Sequence, residues 1–331
     1  MSTVLRALRR RALTPHVSAT SVAVRGFHVK SAESRELLET VGRSFLTGYA
    51  CAAEARSPAE AEEVLEAQPE RFRGFAYEGA AMACAVIDAL PFSRGRRTAG
   101  LLAGRGGDHI YMAYVGIGWA LARLPRFRWP DLSALDPLLR WLVLDGYGFH
   151  QAYFHTGTYV HRHVRPSISW PEGRYRPYVD RAVDQGIGRA LWFVGGTDAD
   201  RVAMMIERFA EPRRCDLYSG AALAATYAGG ASGAELRALR ERAEPYRHFL
   251  AQASAFAAKA RARAGLVVPH TGVATDVFCG MTPDEAVRVS DTAQPGPEEA
   301  SGRSGDPAEP AYEIWRRRIA TEFAAAKGAG R

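Results

Sequence analysis

The chain has 331 residues, 47% of them hydrophobic and 24% charged, with a formal net charge of +7. A chain of this length and composition buries a full-sized core, as one large domain or two small ones, which excludes disorder throughout. The positive charge does not read as a nucleic-acid footprint. The lysines are Lys30, Lys259 and Lys327 alone, asparagine is absent, and the arginines are scattered as a GC-rich coding bias scatters them, where a phosphate-binding face needs them clustered.

In chain order, residues 1–30 lack a clear period and read as a flexible N-terminal segment. Its basic start breaks at arginines and then turns polar, so it does not read as a secretory signal. From residue 31 the pattern becomes helical, with Leu37, Leu38, Val41, Phe45 and Leu46 returning to one face. Ser57-Pro58-Ala59-Glu60 opens a second helix: serine caps, proline fits the first turn, and Glu60 reaches back. Thr282-Pro283-Asp284-Glu285 repeats the device for a helix through Val289. Between them, alanine and aromatics dominate with little period-two alternation, which predicts few strands. Residues 291–310 are rich in proline, glycine, serine and acids, the composition of a disordered linker. Residues 311–327 then form an amphipathic helix whose face of Tyr312, Trp315, Ile319 and Phe323 must be buried on this chain or on a partner. The expected fold is all-α, with one large helical domain over 31–290. The longest apolar runs, around 110–122 and 217–231, fall short of the roughly 20 residues of a membrane span. Cys51, Cys84, Cys215 and Cys279 form no CxxC pair and read as small buried hydrophobes in a reducing, cytoplasmic setting.

Small residues recur at the start of apolar segments: Gly79 with Ala80, Gly116 with Gly118, Gly146 with Gly148, Gly186 with Gly188, and Gly220 with Ala221. Glycine within a helix costs about 1 kcal/mol relative to alanine, and close helix–helix approach is the simplest compensation. The spacing of these groups is that of helical-hairpin units in a solenoid or an α/α toroid.

The sequence contains no GxxxxGK[ST], no HExxH, no GxSxG and no paired-aspartate motif. No motif implies a cofactor. One dense polar-aromatic segment stands out, containing Asp145, Tyr147, His150, Gln151, Tyr153, His155, Tyr159, His161 and His163. His150, Tyr153 and Phe154 share one side of a helix. The segment fits a proton-transfer or substrate-orienting site, or a set of satisfied core and surface histidines. A metal reading through His150, His155 and His161 or His163 is disfavoured, because a spacing of five is not a same-face pair. Near the glycine pairs, Asp184 and Asp216 read first as helix-start carboxylates, and either can pair with Arg189, which sits in an otherwise apolar run. Trp119, Phe149, Phe154, Trp192, Phe193 and Tyr227, with Tyr153, can line an interior or simply fill a core.

The stretches YEGAAM, HIYMAYVGIGWALARLP, LDGYGFHQAYF, DQGIGRALWFVGGTDADRV, RRCDLYSGAALAATYAGG and FAAKARARAG…PHTGVA run in order from about residue 75 to 280. Through them the chain resembles a bacterial domain-of-unknown-function family encoded in enediyne polyketide gene clusters. The resemblance implies an accessory role in making an enediyne-type polyketide from a linear conjugated polyene, and carries over no reaction or catalytic residues. Joined to the reading of the residues, it leads to an expected enzyme that modifies or cyclises a polyene inside a helical shell. In that role His150, Tyr153, Asp145, Asp184 and Arg189 move protons or orient substrate, while Trp119, Phe149, Phe154, Trp192, Tyr227 and Asp216 contact it. The competing expectation is a non-catalytic scaffold or carrier that binds the polyene or the polyketide synthase.

Overall fold

The computed structural model describes residues 3–91, 93, 95–168, 170, 175–301 and 309–325; among these there is helix and turn but no strand. The principal helices are α1 (Thr3–Leu13), α2 (Ala32–Glu54), α3 (Pro58–Glu66), α4 (Glu70–Asp88), α5 (Arg97–Ala103), α6 (Ile110–Arg123), α7 (Trp141–Phe154) and α8 (Arg176–Val194). They are followed by α9 (Ala199–Glu207), α10 (Glu211–Ala228), α11 (Gly233–Arg242), α12 (Arg247–Arg263), α13 (Pro269–Cys279), α14 (Pro283–Thr292) and α15 (Ala311–Ala325). Together they make a single helical domain around one continuous apolar core. No helix among the described residues is long and apolar enough to cross a membrane.

Local chemistry sets several helix starts. Ser57 accepts the Glu60 N–H with Pro58 behind it, and Thr282 and Glu285 close a full capping box. Ser31 does the same for α2 with Ser34 in the reciprocal position.

The long helices α4, α6, α7, α8, α10 and α12 pack side by side in chain order and run parallel. Trp141 meets Tyr178 near the starts of α7 and α8 (ring centroids 5.0 Å apart), and Phe149 meets Phe193 towards their ends (5.2 Å). Likewise Arg213, early in α10, meets Asp184 at the middle of α8, while Trp192 Nε1, near the end of α8, donates to Gly229 O (2.9 Å) just beyond the end of α10. Between the long helices the chain returns through α5, α9 and α11, or through 3-10 and π turns. These returns differ in length and kind, so the long helices recur while the segments between them do not.

The glycine pairs explain how the row holds together. Residues i and i+2 of a helix point to nearly opposite sides. The first glycine of each pair accordingly faces the preceding long helix and the second faces the next. A Cβ on Gly146 would overlap Val115 O and one on Gly148 would overlap Val183 O; Gly186 and Gly188 stand in the same relation to Asp145 O and Leu217 O. The contacts are reciprocal, since Gly118 lies against Val143 O and Gly220 against Gln185 O. Helix backbones touch at each crossing, close enough for Cα–H···O contacts that larger side chains would forbid.

Two terminal segments are fixed by charge. The N-terminal 1–30 segment, expected to be flexible, contains α1, where Arg9 Nη2 donates to Ala55 O (2.9 Å) and Arg10 pairs with Glu54 (2.7 Å) at the C-terminal end of α2. Those carbonyls have no partner inside their own helix, and a cation is favoured there. Val4, Leu5, Leu8 and Leu13 do recur at helical spacing, but Val4, Leu5 and Leu8 remain exposed, and the arginines make the contacts that hold α1. At the other end, α15 docks on its own chain. Trp315 Nε1 donates to Ser290 O (2.8 Å), and the buried Arg316 contacts Asp216 (3.1 Å), Glu313 (2.6 Å) and Ser219 (3.1 Å). Within the expected linker at 291–310, Pro297–Ala300 forms one helical turn. Residues 302–308 lie outside the described residues, as do 326 and 327 of the expected C-terminal helix.

Candidate functional site

The inner faces of α2, α4, α6, α7, α8, α10 and α12 enclose a cavity of about 500 Å³. Its wall is aliphatic and aromatic, with a run of aromatic rings along one part. Phe45 packs on Trp119 (4.6 Å), Trp119 on Phe149 (5.1 Å) and Phe149 on Phe193, while Tyr153 and Phe154 extend the run towards the exposed His155, and Tyr227 lines the cavity against Phe75 (5.3 Å).

Arg123 and Lys259 reach this wall from less buried positions, and two buried charged side chains interrupt it. Glu78, in the middle of α4, and Arg189, in α8, both line the cavity, and Asp145 of α7 stands behind them. Arg189 Nη1 is ion-paired with Asp145, and its Nη2 lies 3.9 Å from Glu78 Oε1. The guanidinium also sits 5.1 Å from the centroid of the Phe149 ring. All three side chains are buried, at 3%, 3% and 7% exposure for Glu78, Asp145 and Arg189, so their charges must balance one another. One cation faces two carboxyl groups, and Asp145 takes the direct contact.

Loss of water therefore acts most strongly on Glu78. Burial pushes its carboxyl up to about 7, against the pull of Arg189 and assisted by repulsion from Asp145. Trp119 Nε1, buried without a conventional hydrogen bond, exerts a weak attraction in the opposite sense. Burial also raises Asp145, with Arg189 opposing it. Glu78 is thus a buried acid on a cavity wall that gains and loses its proton near neutrality.

His150 and Tyr153 line the same cavity and behave differently. Burial lowers His150 to about 3, so its ring is neutral at ordinary pH; Nδ1 lies 3.4 Å from Gln151 Oε1. Burial raises the Tyr153 hydroxyl, which keeps its proton. Both offer hydrogen-bonding groups at the cavity wall, whereas Glu78 is the group there whose carboxyl is raised to about 7.

Of the residues singled out in the sequence, Asp145, Arg189, Trp119, Phe149, His150, Tyr153, Phe154 and Tyr227 are brought together at or just behind the cavity wall. Asp184, Asp216 and Trp192 are not. Asp184 is held by Arg213 (2.6 Å) and Arg165 (3.0 Å). Asp216 is held by Arg181 (2.8 Å), Arg316 (3.1 Å) and Gln185 (3.0 Å), anchoring α15. Trp192 is fully buried at the end of α8. The expected pairing of Arg189 with Asp184 or Asp216 is corrected to Asp145 and Glu78. Asp184 and Arg189 are five positions apart on one helix and point in different directions. Asp216, on the neighbouring helix, instead faces the preceding turn of α8 through Arg181 and Gln185.

Glu78 is not among the residues singled out from the sequence, where it appears only within the stretch YEGAAM. The available signal was a lone carboxylate within the otherwise apolar stretch Phe75–Ile87 of α4. His163 packs on Phe209 (4.0 Å) away from the cavity wall, and His155 is exposed at the mouth. Among the described residues no group of three or more His, Cys, Asp or Glu is gathered as a metal-holding cluster.

A family model described as "Protein of unknown function (DUF1702)" matches residues 4–323. The chain belongs to this family. The match spans α1 through most of α15, so the cavity, its aromatic wall and the docked C-terminal helix all lie within the family domain. No curated protein and no solved structure matches the chain.

Proposed function

We propose that this family member acts in the cytoplasm in the maturation of an enediyne-type polyketide, enclosing a conjugated polyene in the central cavity and moving a proton at Glu78. The observation that carries the reading is the Glu78–Arg189–Asp145 cluster set into an aromatic wall around about 500 Å³ of space. A flat, polarisable polyene complements such a wall, and exclusion of water protects a reactive chain. The protonated carboxyl delivers its proton to one carbon of the polyene, and the carboxylate left behind removes a proton from another. The result is an isomer, or a ring where carbon–carbon bond formation intervenes, with no other reactant consumed. Arg189 holds the transient Glu78 carboxylate, and Asp145 keeps Arg189 in place.

Glu78→Gln keeps the size and removes the proton exchange. Product formation in the producing host is expected to fall at least about 100-fold. Binding of a polyene probe, read by quenching of tryptophan fluorescence, should stay within a factor of about three. Near wild-type product from this variant would overturn the proton-transfer step and leave the carrier reading, in which the shell only holds the polyene or serves the synthase. Absence of probe binding by the unaltered protein would overturn both.

A further inference from the structure

Tyr153, Phe154 and His155 line the aromatic cavity at one mouth and also line a second pocket of about 450 Å³. The second pocket differs in chemistry. Its remaining wall is Val24, Arg25, Thr156, Gly157, Thr158 and Arg162, so with the shared residues its lining carries two guanidinium groups, an imidazole and three hydroxyls, and no carboxylate. The Arg25 guanidinium lies 5.2 Å from the centroid of the Phe154 ring, and its Nε is buried without a hydrogen-bond partner. Among the described residues Arg162 bonds only the Thr158 hydroxyl (2.8 Å). Several other surface arginines meet acids, as in Arg10 with Glu54, Arg242 with Glu207 and Arg318 with Glu299, and others such as Arg214 and Arg263 bond backbone carbonyls. Glu39, which acts on Tyr153 from this side, is already engaged by the Val22 N–H (3.1 Å) and Arg35 (3.5 Å). Among the described residues no carboxylate pairs with Arg25 or Arg162, where the apolar cavity reaches this pocket.

We propose that this pocket holds the anionic headgroup, carboxylate or phosphate, of an amphipathic molecule whose unsaturated chain lies in the aromatic cavity. The substrate class is then a polyene acid or a polyene phosphate ester, and not a neutral hydrocarbon. Phe154 is the hinge of the arrangement: Arg25 covers it on the headgroup side, and Trp119 meets it edge-on at 5.8 Å on the chain side. A bidentate guanidinium contact is well matched to either anion. The inference rests on the cavity being the binding site for an apolar chain, as in the preceding reading.

The test compares cis-parinaric acid (a conjugated tetraene carboxylic acid), its methyl ester and the phosphate monoester of the corresponding alcohol, each titrated by fluorescence at pH 7.5. In the unaltered protein an anionic probe is expected to bind at least about 10-fold more tightly than the methyl ester, and added salt should narrow the gap. In the Arg25→Gln/Arg162→Gln double variant that advantage should disappear while the methyl ester binds as before, which also shows that the cavity is intact. Tighter binding of the acid than of the phosphate assigns a carboxylate, and the reverse order assigns a phosphate. Equal binding of acid, phosphate and ester by the unaltered protein would overturn the headgroup site and leave the cavity reading standing. So would a double variant that loses all three alike. Failure of all three probes to bind the unaltered protein would overturn both.

Discussion

Gly186→Ala is expected to cost about 3 kcal/mol or more, lowering the thermal midpoint by several degrees, while Gly272→Ala raises stability by about 0.5–1 kcal/mol. The two substitutions add the same methyl group within a helix. At Gly186 the new Cβ would overlap Asp145 O and lie 2.7 Å from Phe149 N. Both obstacles are backbone of the neighbouring helix, which cannot rotate aside as a side chain can. α7 and α8 would have to separate, and the ion pair of Asp145 with Arg189 spans that same crossing. At Gly272, in α13, the nearest atom would be Pro283 Cγ at 3.9 Å, an ordinary contact, so only the gain in helix propensity remains. Chemical denaturation of the two variants beside the unaltered protein measures the contrast. Wild-type stability for Gly186→Ala would mean that the helix backbones do not touch at the glycine pairs.

Arg189→Met should be as damaging, with a pH signature that identifies its cause. Removing the cation leaves Glu78 and Asp145 buried together without a partner, a change that costs about 3–5 kcal/mol when the carboxylates are charged. Burial already raises both carboxyls in the unaltered protein, Glu78 to about 7, and loss of Arg189 removes the chief opposing attraction. Between the unfolded value near 4–4.5 and the raised folded values, the folded state binds more protons than the unfolded state. Stability therefore falls as pH rises through that window. The deficit of Arg189→Met relative to the unaltered protein should be largest at pH 8 and shrink towards pH 5.5, where protonation relieves the repulsion. The buried His109 and His150 and the half-buried His270, which loss of water lowers to about 4, 3 and 4, shift stability in the opposite sense as pH falls below about 6.5. They do so in both proteins and cancel in the difference. A deficit independent of pH would assign the loss to packing instead of charge.

The candidate site divides along the same line as the fold. His150, Tyr153, Phe149 and Phe154 were legible together because they lie within one turn or two of α7, where spacing along the chain fixes spacing in space. Trp119, Arg189 and Tyr227 were legible as types, an aromatic or a charge within an apolar run. Glu78 was not, because a single buried carboxylate becomes informative only when its surroundings are known. The same limit applies to the two cation-lined segments, 22–25 and 155–162, which are more than a hundred residues apart and meet beside Phe154.

What the amino-acid order determined by itself is local. Caps at Ser57 and Thr282, the apolar face of α15, the scarcity of strand and the need for close approach at the glycine pairs all follow from interactions within a few residues. The tertiary structure decided which backbone each glycine meets, that the arginines of α1 close the end of α2, and that Arg189 answers to Asp145 and Glu78. The physical reason is range. Capping and periodicity act over one or two turns, whereas desolvation and charge pairing depend on what distant segments bring into the same small volume. The glycine pairs belong to both levels: their cost within each helix is visible in the sequence, and the backbone contacts that offset it exist only once the helices are assembled.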